Sequence, residues 1–262
     1  MQPAGPATVG LIGFGALARQ IVDALPATIG WVVLVRDVTA CALPPRVRAV
    51  ADLPELIAAA PDAVVEAAGQ EAASAYVPDL LAAGIPVIVA SVGALADPSL
   101  RARIVAARRA SKTDIVLPSG AVGGLDYLAA VAALPDARVR YTSRKPPAAF
   151  AEMLAAHDLD GATGESVLFE GTADEAVRRY PKNLNVALSI ALAAHPAPVE
   201  VRVVADPAAT GNVHEIVVTS AAGTANLRFF NAPLPGNPKT SAITGLSIAA
   251  TLRKLLQGVG KA

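Results

Sequence analysis

The hexapeptide Gly13-Phe14-Gly15-Ala16-Leu17-Ala18 has the form G-x-G-x-x-A. An apolar, β-branched run precedes it and a helical pattern opens within it, which is the setting in which such a loop binds a dinucleotide. Gly13 permits the tight turn, Gly15 lets a pyrophosphate approach the backbone, and Ala18 allows close helix–strand packing. The helix that begins at Ala16 and Leu17 offers free N–H groups and the positive end of its dipole to phosphate. A tight βα turn without a ligand uses the same small residues, so the flanking strand and helix carry the assignment. An acid about 20 residues further on would hold the ribose hydroxyls of NAD. Asp37 stands near that distance, but Arg36 precedes it and suits the 2′-phosphate of NADP. Both residues also suit a solvated strand end, so the cofactor is expected to be NAD or NADP. Ala68 and Gly69 follow Glu66 at the end of another β-pattern, and this loop is expected to line the cofactor cleft at the strand carboxyl ends.

His214 opens a β-pattern two residues after Asn212, in Gly-Asn-Val-His. An imidazole there sits at a sheet edge and can face a cleft, and its ordinary pKa of about 6.5 suits proton transfer near neutrality. A lone histidine is more often a surface or capping residue, and His157 and His195 are read that way. The single cysteine, Cys41, cannot form an internal disulfide. One cysteine and three histidines make no Cys/His metal cluster, and no metal site is expected.

The elements that must position these residues fall into two blocks. Over the first 120 or so residues, short β-branched runs alternate with Ala/Leu-rich helical stretches. Strands are expected at Thr8–Gly13, Trp31–Val35, Ala63–Ala67, Val87–Ala90 and Asp114–Leu117. Helices are expected at Ala16–Leu25, Leu53–Ala60, Ala72–Ala83 and Ser99–Ala110. That alternation implies a doubly wound parallel sheet, an α/β fold of the Rossmann type. After Pro118 the pattern changes to α+β. Strands at Ala137–Ser143, Gly164–Gly171, Val199–Ala205, His214–Ser220 and Ala225–Asn231 accompany helices at Leu125–Leu134, Ala173–Arg179 and Leu184–Ala194. The short turns among the last three strands imply a largely antiparallel sheet. Pro233, Pro235 and Pro238 mark a crossing, and a final helix, Ser241–Gln257, is expected to return to the first domain. The expected division is therefore residues 1–119 and 234–262 for dinucleotide binding, and residues 120–233 for substrate binding and dimerisation.

Composition removes other classes. The 262 residues carry 22 basic and 22 acidic side chains, so no basic excess supports nucleic-acid binding. The 53% hydrophobic content argues against disorder. Its 58 alanines inflate that figure without adding large side chains. A mean hydropathy of +0.48 raises the question of a membrane. Spanning helices need about 20 consecutive apolar residues, and here Gly, Pro, Asp or Arg interrupts each run. No signal peptide is read at the N-terminus, and a cytoplasmic location is expected.

Seven segments together give the chain a family likeness. They are LIGFGALA (Leu11–Ala18), VVEAAGQEA (Val64–Ala72), VIVASVGALAD (Val87–Asp97), LPSGAVGGLD (Leu117–Asp126), YPKNLNVA (Tyr180–Ala187), DPAATGNVHEI (Asp206–Ile216) and NPKTSAITGLS (Asn237–Ser247). In this order they resemble the L-aspartate dehydrogenase family over nearly the whole chain. The glycine loop is general to dehydrogenases; the other motifs in combination are far more specific. The resemblance implies a homodimer that deaminates L-aspartate oxidatively with NAD or NADP, giving iminoaspartate or oxaloacetate and ammonia, in NAD biosynthesis or aspartate catabolism. It assigns the active-site histidine to His214 and nicotinamide contacts to Ala121 and Asn185. Such a substrate needs two carboxylates held by cations or N–H donors. Lys145, Lys182 and Lys239 are the candidate cations, with Asn183 and Asn212 as amide partners. Asn183 and Asn185 also suit the capping of the helix they precede. His214 would then act as a general acid/base on the amine or on water, or would polarise and orient the substrate. Two other readings stay open. A small reductase of the dihydrodipicolinate reductase type shares the plan, although its clustered His-His and basic residues are missing here. A non-catalytic dinucleotide sensor would keep the glycine loop and have no need of His214.

Overall fold

A computed structural model of the chain describes residues 7–39, 43–156, 164–180 and 185–259. Cys41, His157, Lys182 and Asn183 lie outside the described residues. The chain forms two compact units, one running to Pro118 and resuming at Gly245, the other Ser119–Thr244.

The first unit is built from β1 (Thr8–Ile12), α1 (Ala16–Asp23), β2 (Gly30–Leu34), β3 (Val47–Val50), α2 (Leu53–Ala58), β4 (Ala63–Glu66), α3 (Gln70–Ala82), β5 (Val87–Val89), α4 (Pro98–Ser111) and β6 (Ile115–Val116). The strands form one parallel sheet in the order β3-β2-β1-β4-β5-β6. Buried on both faces, its inner strands read as nearly continuous apolar runs, GWVVL in β2 and AVVE in β4. Strand β3 is an addition to the expected set. It is a four-residue edge strand in which Arg48 is exposed, so VRAV carries no apolar run to announce it. Asp52 and Asp97 accept backbone N–H groups at the starts of α2 and α4, and each helix has proline in its first turn, where no N–H is required.

The second unit comprises α5 (Leu125–Val131), β7 (Arg138–Lys145), α6 (Ala151–Ala156), β8 (Ser166–Thr172), α7 (Ala173–Arg179), α8 (Asn185–Ala194), β9 (Val199–Ala205), β10 (Asn212–Ser220), β11 (Gly223–Asn231), β12 (Pro233–Leu234) and β13 (Asn237–Ser241). Its main sheet has the order β11-β10-β7-β9-β8. The sheet is mixed: β7 pairs with β9 in parallel, and the other pairings are antiparallel. It is thus largely antiparallel, as expected. Strands β9 and β10 are consecutive and point opposite ways, yet β7 lies between them. Two strand spacings are only about 10 Å, which a loop of about six residues spans easily. A short loop therefore does not prove a hairpin. The expected proline-rich crossing is instead the β12–β13 hairpin, turning at Gly236 with φ +80°.

The last helix, α9 (Ile243–Val259), completes the core of the first unit. Ile248, Ala249 and Leu252 are fully buried against a cluster that includes Val9, Leu11, Ile21, Trp31 and Val33. Among the described residues, no helix is long and apolar enough to cross a membrane.

Candidate active site

In the first unit, the strand order reverses direction between β1 and β4, and ligands of open α/β sheets bind at the carboxyl ends of strands beside such a switch. The loops leaving those two strands are knitted together. Gly13 N–H donates to the Leu34 carbonyl and Ala67 N–H to the Ile12 carbonyl. Gly13 has φ +83°, and a Cβ there would fall 2.8 Å from the Ala68 Cβ, so only glycine lets the two loops meet. Gly15 caps α1 without any side-chain cap, and the space where its Cβ would stand is open. Phe14 is buried under the Arg19 guanidinium, 4.6 Å from its ring centroid. Open space in front of an uncapped helix N-terminus fits a pyrophosphate.

Gly69, with φ +123°, repeats that arrangement at the start of α3. The Ala68–Gly69 loop is held by Glu66. This carboxylate is wholly buried and accepts from Ala68 N–H (2.9 Å), Gly69 N–H (2.8 Å), Ser91 N–H (2.9 Å) and the Ser91 hydroxyl (3.0 Å). Burial pushes the carboxyl up, and the four donors pull it back only in part. Glu66 thus ties the loop after β4 to the loop after β5. Arg36 is exposed beyond the end of β2, and Asp37 accepts from Thr39 N–H and hydroxyl, 2.8 and 2.7 Å.

In the second unit, alternation along β7 sends Val139, Tyr141, Ser143 and Lys145 to one face, all buried. His214 on β10 lies opposite Ser143, and the pairing ends one residue on, at Val213 opposite Arg144, beside Asn212 and Lys145. The other face carries exposed or half-buried ion pairs, Arg140–Glu200, Arg202–Glu170 and Arg228–Glu215. The inner face is apolar over most of its length, with Val201, Val203, Ile216 and Val218. At the end of β7 it becomes polar while staying buried: Ser143 is 1% exposed, His214 3%, Asn212 3% and Lys145 7%. Polar groups so buried need partners, and two of these are short of them.

Lys145 pairs with no carboxylate among the described residues. Its Nζ lies 5.8 Å from the Phe150 ring centroid. Burial, reinforced by the positive charge of Lys239, lowers its pKa to about 8. His214 makes one hydrogen bond, between Nδ1 and the Tyr141 hydroxyl at 2.8 Å. Its Nε2 is buried with no hydrogen-bond partner among the described residues. Burial and then the Lys145 charge push its pKa down to about 3, so the ring is neutral at pH 7. Asn212 donates to the Ser241 hydroxyl at 3.2 Å. Gly211 before it is obligatory, because a Cβ would stand 2.7 Å from the Asn231 carbonyl. A buried cation with no anion among the described residues, on one sheet face with a neutral imidazole whose second nitrogen has no partner among them, suits an anionic ligand that offers a further polar atom.

The structure brings His214, Asn212 and Lys145 to one sheet face. Lys239 lies on β13, exposed, with its charge acting on Lys145. Ala121 is buried in the loop before α5, and its carbonyl accepts the Asn231 amide at 2.8 Å. Asn185 is the first residue of α8 and half-buried. His195 sits exposed in the turn after α8. Tyr141, Ser143 and Ser241 join the site without having been candidates on sequence grounds. The available signal for the first two is parity. In Arg138–Lys145 the residues sharing the buried face with Val139 end in Tyr, Ser and Lys, which a purely structural strand would fill with aliphatics.

Comparison with known proteins gives a consistent result. Residues 126–255 match the family model described as aspartate dehydrogenase, C-terminal, and residues 13–118 match the one described as homoserine dehydrogenase, NAD binding domain. The chain is 45% identical over 257 residues to L-aspartate dehydrogenase 2 of Bordetella pertussis, covering 95% of this chain and 96% of that protein. Among solved structures, aspartate dehydrogenase of Thermotoga maritima aligns with a TM-score of 0.77 at 31% identity, covering 95% and 96% of the two chains. A dihydrodipicolinate reductase of Paenisporosarcina sp. aligns over 94% of this chain and 93% of its own with a TM-score of 0.52 at 12% identity, a likeness of fold alone.

Proposed function

The chain belongs to the L-aspartate dehydrogenase family, and from that premise we propose that it catalyses the NAD(P)-dependent oxidative deamination of L-aspartate to iminoaspartate, and by hydrolysis to oxaloacetate and ammonia, or the reverse amination. The observation that carries this reading is the buried Lys145, with no acidic partner among the described residues, on the same sheet face as His214, whose Nε2 has no hydrogen-bond partner among them. A dicarboxylate with a reacting centre between its charges supplies what both groups lack.

In this reading the first unit binds the dinucleotide through Gly13, Phe14, Gly15, Ala16 and Leu17, with Ala68 and Gly69 lining the same crevice. Arg36 beside Asp37 leaves both NAD and NADP as cofactors. When bound, the nicotinamide supplies a hydride acceptor for the α-carbon of aspartate. The second unit binds and orients the substrate. Lys145 and Lys239 hold its carboxylates, Asn212 adds an amide, and Lys182 and Asn183 belong to the same reading. Ala121 and Asn185 border the nicotinamide. His214 is the catalytic residue. The assembly is a homodimer through the second unit, where the edge strand β11 exposes Phe230. The protein works in the cytoplasm, in NAD biosynthesis or aspartate catabolism.

The test is nicotinamide reduction by the purified protein with L-aspartate and NAD or NADP, against D-aspartate, L-glutamate and L-malate. Reduction with L-aspartate alone is expected. A folded, cofactor-binding protein that turns over neither L-aspartate nor, in reverse, oxaloacetate with ammonia would overturn the reading.

A further inference from the structure

We infer that Tyr141 is a positioning residue which fixes His214 as the Nε2–H tautomer, so that the imidazole meets the substrate as a neutral hydrogen-bond donor rather than as a base. The inference rests on the substrate-facing role of His214 proposed above, and it decides between the roles left open for that ring.

Two side chains on one sheet face are joined by a hydrogen bond: the Tyr141 hydroxyl bonds His214 Nδ1 at 2.8 Å. The two rings lie within 14° of parallel with centroids 6.0 Å apart, and Tyr141 is 1% exposed. The bond can run in either direction. In one, Tyr141 donates to Nδ1, and the single proton of the neutral ring sits on Nε2. In the other, Nδ1–H donates to the Tyr141 oxygen. A phenol is a more acidic donor than a neutral imidazole, and an imidazole nitrogen lone pair is a more basic acceptor than a phenol oxygen. The first direction joins the better donor to the better acceptor. The bond made by one imidazole nitrogen sets the state of the other, so Nε2 carries the proton.

The atom at Nε2, unpartnered among the described residues, is then an N–H, and leaving a buried donor unmade is unfavourable. An acceptor on the ligand completes it: a carboxylate oxygen of aspartate, or the oxygen of oxaloacetate in the reverse direction, where the same donor polarises the carbonyl towards attack by ammonia. The Lys145 ammonium near the ring opposes a second proton on it. Nε2 in this state has no lone pair to take a proton from the substrate ammonium, so the amine reaches the site already deprotonated by solvent.

The experiment is imidazole ¹⁵N NMR on the full-length protein without ligands. Only three histidines are present, so H157Q and H195Q variants assign the His214 signals. A pyrrole-type Nε2 and a pyridine-type Nδ1 are expected at neutral pH. In Y141F, which keeps the ring and removes the hydroxyl, the two nitrogens are expected to move towards averaged shifts as tautomers mix. Its kcat for aspartate should fall about tenfold, the loss of one hydrogen bond's influence, with KM changed less. If Y141F does not fold, the spectrum of the unaltered protein decides by itself. A pyridine-type Nε2 in the unaltered protein overturns the inference, as does a tautomer that ignores the substitution. Because the spectrum needs no turnover, its result separates from that of the aspartate assay. The expected tautomer in a protein inert towards aspartate sinks the substrate reading alone; the reverse tautomer in an active dehydrogenase sinks this one alone.

Discussion

Glu66 and His214 are both buried polar side chains at the ends of sheet strands, one in each unit, and they are satisfied very differently. Glu66 has four donors on its two oxygens, all from the protein. His214 has one partner and one buried nitrogen with none among the described residues. A buried group whose bonds are all made by its own chain holds that chain in shape. One with a bond left unmade is waiting for something to complete it. This contrast supports the proposed division, in which Glu66 shapes the loops after β4 and β5 without touching chemistry, and His214 meets the substrate while contributing little to shape. The difference is testable because the two roles move different observables.

The largest expected effect is at His214. H214A should lower kcat roughly 10²–10³-fold, the usual cost of removing one donor aimed at developing charge. Its Tm should stay within a few degrees of the parent. H214Q, whose amide can reach into the same region as a donor, should keep more activity than H214A. Steady-state kinetics and thermal melting check both. A collapse of Tm in step with kcat would erase the contrast with Glu66.

Glu66→Gln should behave in the opposite way. An amide replaces one acceptor oxygen with a donor that faces N–H groups. The expected cost is about 2–3 kcal/mol of stability, a fall in Tm of roughly 5–10 °C. The KM for the dinucleotide should rise as the Ala68–Gly69 loop loosens, and kcat at saturating cofactor should change little. A stable variant with lost kcat would instead place Glu66 among the reacting groups.

Legibility in the sequence follows the same division. The first unit was legible because parallel strands buried on both faces leave unbroken apolar runs, and because Gly13 and Gly15 mark a turn few other residues can make. What escaped there was β3, whose four residues include an exposed arginine. In the second unit, strands β7 to β11 were legible but their pairing was not. Alternation states which side chains share a face and says nothing about which strand lies next door. His214, Asn212 and Lys145 could be named from motif and residue type. That they share one buried patch with Tyr141 and Ser143 depends on register across β7 and β10, which sequence spacing does not encode. The satisfaction of Glu66 was likewise hidden, since Ser91 comes from a different strand end.

Lys145 offers a smaller effect that sharpens the comparison, since it is buried like His214 but charged, with no acidic partner among the described residues. Its pKa of about 8 makes it a cation below that pH and neutral above. Succinate, a dianion throughout this range and without an amine to titrate, should bind the NAD complex with a Kd that rises as pH passes through about 8. K145M should weaken succinate roughly 10–100-fold at pH 7 and abolish the pH dependence. The same variant should melt higher than the parent at pH 7, because the folded chain no longer shelters a cation that the unfolded chain solvates freely. Calorimetric titration and melting at matched pH test both statements; a pH-independent Kd in the parent would remove Lys145 from the carboxylate site.

The smallest effect is one of sign. The folded-state pKa of His214 is about 3, below its ordinary 6.5. Between those values the unfolded chain binds a proton that the folded chain refuses, so this residue makes stability fall as pH drops below about 6.5. Glu66 is shifted the other way, upwards from 4.5. Over the interval above 4.5 the folded chain holds the extra proton, so Glu66 makes stability rise on acidification. The two buried groups therefore oppose each other in mild acid. Denaturant titrations at several pH values should show H214Q losing about one proton's worth of acid destabilisation below about pH 6.5, roughly 1 kcal/mol at about one pH unit below. E66Q should lose a contribution of opposite sign. If both substitutions shifted the slope in the same direction, the contrast between a group completed by its own fold and a group left open for a ligand would not describe how these two side chains are held.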